Sequence, residues 1–466
     1  MDFRRHGLVD LAQQIRSGQV SASEIVQASL DRIEEVDSRV RAFVATDPHR
    51  SLAEAAEIDR RLAAGEPVGP LAGIPLAVKD LEDATGFRTT YGSLLRAEAP
   101  AAEGDSVLVA RLRAAGCVVV GKTNTPEYGY KGATDNPLFG PTLNPWDLER
   151  SPGGSSGGSS AALAAGMVPL ATGSDGGGSI RIPAAVCGHS GIKTTQGRVP
   201  NGGPTAPGSG LFSVKGPMTL RIADAASVLD SCVGPHPTDP FSLPRPSQLW
   251  YEAVLEARLP SRVVFSPDMG FTTVDAEIAS IVRSAVDRLA DAGVVVAEVP
   301  SVWPTSPLWP WLSMWCTARA RTQGHLKDTP DWDTIDLGLQ AQIDLGLQTT
   351  GVEMFRAIDA VHEFNLQLET AFEQAPLLLT PTVAGHTPRS GSDGTINGEE
   401  TPSWVEFTFG FNLTRNPAGT VCCGYTADGM PVGLQVVGRQ LDDLGVLQAV
   451  HAFEQILGCD RLAPLG

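Results

Sequence analysis

Two glycine- and serine-rich segments lie close together in the chain: Ser151-Pro-Gly-Gly-Ser-Ser-Gly-Gly-Ser-Ser160 and Thr172-Gly-Ser-Asp-Gly-Gly-Gly-Ser179. The second runs on through Ile180-Arg-Ile-Pro183. Successive N–H groups at Gly176, Gly177, Gly178 and Ser179 can converge on one point, because glycine has no Cβ to hold the backbone off. Converging amides form an anion site, and beside a serine they form an oxyanion hole. A serine hydroxyl attacks a carbonyl only when a base takes its proton. The two segments alone leave open which residue is that base.

Three other readings are weighed. A flexible linker has this composition. Here, however, small residues continue into a helix-like run, Ala161-Ala-Leu-Ala-Ala-Gly166, and Val168 to Ala171 reads as a strand. Gly153-Gly-Ser155-Ser-Gly157 fits the G-x-S-x-G elbow, but an elbow needs a strand before it, and Arg150-Ser-Pro-Gly-Gly is none. Gly116-Cys-Val-Val-Val-Gly121-Lys122-Thr123 fits a P-loop letter by letter. A P-loop is a flexible turn opening a helix, whereas these inner residues form a strand with Pro126 close behind. The histidines show no metal-ligand spacing, and Asn412-Leu-Thr414 is a sequon without a secretion signal.

The elements around these segments alternate. Ser21-Ala-Ser-Glu24 is a capping box opening an amphipathic helix with Ile25, Leu30, Ile33 and Val36 on its apolar face. A helix near Leu112 stops at Gly116, and Cys117 to Val120 reads as a buried strand. Leu289 to Gly293, followed by Val294 to Val299, repeats that order. Ile222 to Val233 is helical with Gly234 as its stop, and Pro235 to Pro246 is turn-like. The pattern predicts an α/β fold with helices packed on a sheet. Trp303 to Trp332 holds five of the eight tryptophans, as a packed peripheral layer or an aromatic rim over a pocket.

Composition narrows the function classes. The chain has 466 residues, 42% hydrophobic, with a formal charge of −18. That charge argues against nucleic acid as a partner. Met1 to Gln14 lacks a long apolar run, so neither a signal peptide nor a membrane span is expected. Seven scattered cysteines without CxxC spacing point to a reducing, cytoplasmic setting.

Gly73-Ile-Pro-Leu-Ala-Val-Lys79-Asp80, the Gly153 to Ser159 run and Gly173 to Pro183 together resemble the amidase signature family. Val119 to Glu127, Asn136 to Gly140, Gly191-Ile-Lys193, Gly197 to Val199, Gly216 to Thr219, Phe411 to Thr414 and Gly429 to Gln435 extend the resemblance over nearly the whole chain. It implies one α/β/α domain over residues 1–466 with a large, mixed, twisted central sheet flanked by helices. The stretch at about 235–375 is expected to be its more variable, peripheral part. It implies a Ser–cisSer–Lys triad: Ser179 as nucleophile, Ser155 as bridging serine after a cis peptide bond from Gly154, and Lys79 as base. Oxyanion donors carry over to Gly176, Gly177, Gly178 and Ser179.

Lys79 follows Pro75-Leu-Ala-Val78, an apolar strand, and burial there would lower its pKa. Asp175 and Arg181 are expected to form a salt bridge that holds the loop. Gly129 lies where the family lines its acyl pocket, and Tyr128, Trp315 and Cys316 are further pocket candidates, with plain packing as the alternative. The sequence departs from the family where Gly176 replaces a larger residue and Thr194 a proline; the extra glycine is expected to loosen the loop.

The resemblance implies a stand-alone hydrolase of amide, anilide, oligoamide or carbamate (urethane) bonds, with esterase or urethanase side activity. It implies no cofactor, no metal and a small-molecule substrate, and is compatible with a homodimer. The competing readings are the glutaminase subunit of a tRNA-dependent amidotransferase and a catalytically inactive binding protein. The Thr123-Asn-Thr-Pro-Glu127 form is closer to the stand-alone enzymes.

Overall fold

The computed structural model describes residues 1–208 and 212–465. In chain order the strands are β1 (Phe43–Thr46), β2 (Pro75–Lys79), β3 (Val118–Thr123), β4 (Leu170–Asp175), β5 (Gly191–Lys193), β6 (Val214–Met218), β7 (Arg262–Phe265), β8 (Val295–Glu298), β9 (Leu377–Pro381), β10 (Thr395–Ile396), β11 (Glu399–Glu400), β12 (Ala418–Tyr425) and β13 (Pro431–Gly438). They form a mixed, twisted α/β architecture with helices packed on the sheets. The strand ladders fall into two blocks. One has the order β1-β3-β2-β4-β6 and the other β5-β12-β13-β9-β7-β8. The edge strands β5 and β6 lie against each other where the blocks meet. One hydrophobic core draws on β2, β3 and β4 of the first block and on β7, β9, β12 and β13 of the second.

Local sequence explains the framework. The Ser21–Glu24 capping box forms, and the helix Ala22–Val40 buries Ile25, Leu30, Ile33 and Val36. The helix Val107–Ala114 ends before Gly116, whose φ of +100° favours glycine. The apolar run after it becomes β3, fully buried between β1 and β2. Lys122 of the P-loop look-alike is in that strand, 3.0 Å from Asp80, so it is a structural ion pair.

Three expectations change. The strand read at Val168–Ala171 begins at Leu170 and continues to Asp175, so half of the apparent second glycine loop is strand. Gly173 and Ser174 lie in antiparallel register with Gly216 and Lys215 of β6, and small residues there leave no apolar pattern to betray a strand. The second helix–glycine–strand unit ends in β8, an edge strand with Val295 56% exposed, unlike buried β3. The stretch 235–375 supplies β7 and β8, and its Trp311 and Trp315 reach the glycine loop. The tryptophans divide: Trp303 is core, whereas Trp311 and Trp315 touch that loop.

The helix Gly157–Ala164 carries the first glycine–serine segment into the core. A Cβ on Gly158 would meet the Asn124 backbone nitrogen at 2.4 Å, its oxygen at 2.6 Å and the Ala42 oxygen at 2.8 Å. Backbone cannot yield as a side chain can. Gly158→Ala is therefore expected to destabilise the protein by roughly 1–3 kcal/mol, despite its better helix propensity. A shift of the denaturation midpoint to higher denaturant would contradict this.

Candidate active site

β2 ends at Lys79 between β3 and β4, and its backbone N–H donates to Thr172 Oγ1 at 2.9 Å. The Lys79 side chain is fully buried. Its Nζ lies 2.8 Å from Ser155 Oγ, 2.8 Å from Ser156 Oγ and 3.0 Å from Ser174 Oγ. Three hydroxyls and, among the described residues, no carboxylate contact the amino group. Burial is the main force on it and pushes its pKa down to about 7; Glu82 and Asp175 act upward, and Arg319 adds to the fall. Near neutral pH this amine is available to accept a proton.

Ser155 follows a cis peptide bond from Gly154, and no strand precedes it, which removes the elbow reading. Ser156 N–H donates to the Ser179 carbonyl at 3.2 Å, tying the two glycine–serine segments together. Ser179 is half-buried, and among the described residues its hydroxyl has no hydrogen-bond partner. That hydroxyl is free to turn.

The loop after β4 is held carbonyl by carbonyl. Asp175 O accepts from Asn412 Nδ2 at 2.8 Å, Gly176 O from Trp311 Nε1 at 2.9 Å, and Gly177 O from Thr408 Oγ1 at 2.5 Å. Gly178 O accepts from the Ile182 amide at 2.7 Å. In a trans peptide the N–H points opposite to the preceding C=O, so these anchors fix the amides of Gly176, Gly177, Gly178 and Ser179. Gly178 departs from the expected set: its N–H donates to Asp175 Oδ1 at 2.8 Å. Among the described residues, the amides of Gly176, Gly177 and Ser179 have no acceptor, so they are left free to donate.

Gly176 does not loosen the loop. A Cβ there would come within 2.7 Å of Trp315 Cζ3, so the glycine makes room for an indole that covers it.

Asp175 and Arg181 form the expected pair, 2.9 Å apart and fully buried. Burial alone would raise the Asp175 carboxyl. Arg181, with help from Lys193 and Asn412, outweighs that and holds it well below the usual carboxylate range. Arg181 also bonds Gln435 Oε1, Asn412 Oδ1 and Thr408 O.

The pocket candidates separate. An added Cβ on Gly129 would lie 3.2 Å from Ser155 Oγ, so Gly129 borders the serine. Tyr128 stacks on Tyr91, and Trp315 covers Gly176. Cys316 is a packing residue: it is buried in a small apolar cluster, and its carbonyl abuts Gly346 on the neighbouring helix Leu337–Gln348. Sequence reasoning missed Ser156, Ser174, Trp311, Arg319 and Thr408. Ser156 and Ser174 stood inside the quoted segments, but nothing in their types ranked them above their neighbours. Among the described residues, no group of three or more His, Cys, Asp or Glu side chains is placed to hold a metal ion. No helix among them is long and apolar enough to cross a membrane.

A serine hydroxyl beside free amides, with a buried amine bonded to a second serine, belongs with hydrolases that act on amide C–N bonds. The comparisons agree, and the chain belongs to the amidase signature family. The Amidase family model matches residues 24–447. The chain is 38% identical over 460 residues to an acylamidase of Rhodococcus erythropolis, covering 96% of this chain and 94% of that one. It is 36% identical to a glutamyl-tRNA(Gln) amidotransferase subunit from Moorella thermoacetica, covering 98% and 97%. Among solved structures, a bacterial aryl acylamidase of the amidase signature family matches with a TM-score of 0.91 at 28% identity, over 99% of each chain. A 6-aminohexanoate cyclic dimer hydrolase matches with a TM-score of 0.89 at 29% identity, over 100% of this chain and 99% of that one.

Removing Arg181 would strand a buried carboxylate. Arg181→Met is expected to cost roughly 3–5 kcal/mol of stability, read as a fall in the urea midpoint at unchanged slope. A midpoint within error of wild type would show that the pair does not brace the loop.

Proposed function

We propose that the protein is a stand-alone amidase that cleaves non-peptide amide-type bonds, including anilides and carbamates, through an acyl-enzyme on Ser179. The observation that carries this reading is the 2.8 Å contact between the buried Lys79 amine and Ser155 Oγ. Neutral Lys79 takes the Ser155 proton while Ser155 takes that of Ser179, whose oxygen attacks the carbonyl. The amides of Gly176, Gly177 and Ser179 hold the developing oxyanion. The relay then runs backwards: Ser155 protonates the leaving nitrogen, and Lys79 reprotonates Ser155. Water repeats the sequence on the ester and releases the acid. The substrate is a small molecule, and the activity needs neither metal nor cofactor. The proposed setting is the cytoplasm, and nothing in the mechanism requires a second copy of the chain.

The relatedness to acylamidases supports this reading. A second reading, the glutaminase component of an amidotransferase, is favoured by the relatives of that kind. Ammonia release from glutamine exceeding the hydrolysis of every anilide, amide and carbamate in a panel would decide for it.

Three measurements test the mechanism. A serine-reactive phosphonate is expected to label the wild type and not Ser179→Ala. Lys79→Ala should lower kcat/KM by about 10²–10⁴-fold, and full activity in it would refute the relay. The base works only when neutral, so activity should be lost below pH 7 and rise with pH through a midpoint near 7. A profile flat from pH 5 to 9 would remove Lys79 as the base.

A further inference from the structure

The helix Leu308–Gln323 turns Trp311, Trp315 and Arg319 to one face, at spacings of i, i+4 and i+8. The indoles of Trp311 and Trp315 stack, 5.2 Å between centroids and 17° apart, against the Gly176–Gly177 backbone. Arg319 extends the stack, its guanidinium carbon 4.2 Å from the Trp315 ring centroid. Its Nη1 donates to the Tyr128 carbonyl at 3.0 Å, next to Gly129, which borders Ser155. The guanidinium thus lies between the tryptophans over the glycine loop and the segment beside the relay serine.

Arg319 is only 6% exposed, and its Nε has no hydrogen-bond partner among the described residues. The other buried arginines are all paired: Arg4 with Asp2, Arg181 with Asp175 and Arg198 with Asp443. Among the described residues no carboxylate pairs with Arg319. A buried cation without a counter-charge is costly, and a guanidinium fork matches a carboxylate in geometry. The carboxylates near the site are already matched: Asp175 has Arg181, and Glu82 has Lys215 at 2.7 Å. The electrostatic influence of Arg319 on Lys79 supports its nearness to the relay.

We propose that Arg319 is a specificity-determining residue that receives a carboxylate at the far end of the acyl group. The preferred substrates are then half-amides of dicarboxylic acids, their apolar stems lying along the stacked indoles. This rests on the reading of Ser179 as the acylated serine.

The test compares the monoanilides of succinic and glutaric acid with alkanoyl anilides of matched chain length. Wild type should favour the carboxylated substrates in kcat/KM by on the order of tenfold or more, the value of a charged hydrogen bond. In Arg319→Met that ratio should collapse, mainly through KM, and Arg319→Lys should recover part of it. A wild-type preference for the neutral anilides overturns the proposal, and this reading needs no variant to fold. So does an equal loss on both substrates in Arg319→Met, which is the outcome for a residue that only packs or only tunes Lys79. Glutarate should also raise the thermal midpoint of wild type more than that of Arg319→Met, and an equal rise in both counts against the clamp. This arm needs no turnover: glutarate stabilisation in a wild type that the phosphonate fails to label would refute the nucleophile and support the clamp.

Discussion

The site depends on a lysine amine buried without a carboxylate. Lys122 and Lys79 lie near the ends of neighbouring strands and are both hidden, yet Lys122 has the carboxylate of Asp80 beside it. Lys79 has only hydroxyls. They give its nitrogen hydrogen bonds, so the polar group is not orphaned, but they offer no negative charge to hold the proton. The balance falls toward the neutral amine, and the surrounding structure enforces it. β3 and β4 close both sides of β2, and the first glycine–serine segment brings Ser155 and Ser156 to the end of the strand. Ser174 completes the set from β4. A water-filled gap at any of these positions would restore solvation and with it the ammonium.

The second constraint is the Asp175–Arg181 pair. Asp175 ends β4 of the first sheet block. Arg181 opens the next helix and reaches Gln435 on β13 of the second block. The pair therefore links the two blocks across the line where no ladder bonds join them. Asn412 joins both partners, donating to Asp175 and accepting from Arg181, so a residue that looks like a sequon is an internal brace. Because Asp175 takes the Gly178 amide as well, the same carboxylate that ties the blocks also sets the loop that carries Ser179. Sheet assembly and loop geometry are in this way one requirement.

Much of this was legible in the sequence. Lys79 follows an apolar run, and burial follows from that pattern. The capping box at Ser21, the glycine stops at Gly116 and Gly234, and the Asp175–Arg181 pair are short-range signals that survive in the folded chain. The rest depended on partners far away in sequence. β4 was cut short because Gly173 and Ser174 have no apolar side chains, and β6, some forty positions on, makes them a strand. The split of the sheet is a property of β5 and β6 together. In sequence Gly178 is indistinguishable from its neighbours, because four consecutive amides look alike. Only the positions of Asn412, Trp311, Thr408 and Ile182 decide which of them faces away.

The same reasoning explains why the substrate side resisted sequence reading. By itself, a glycine at position 176 signals looseness. In the fold its missing Cβ is the space taken by Trp315, while its carbonyl is the acceptor for Trp311. A larger residue at 176 and an indole at 315 compete for one volume, so the two positions cannot vary independently. The space over the glycine loop is therefore written partly in the loop beside the proposed nucleophile and partly in a helix more than a hundred residues later. Neither segment is interpretable alone, since each is the physical reason for the other.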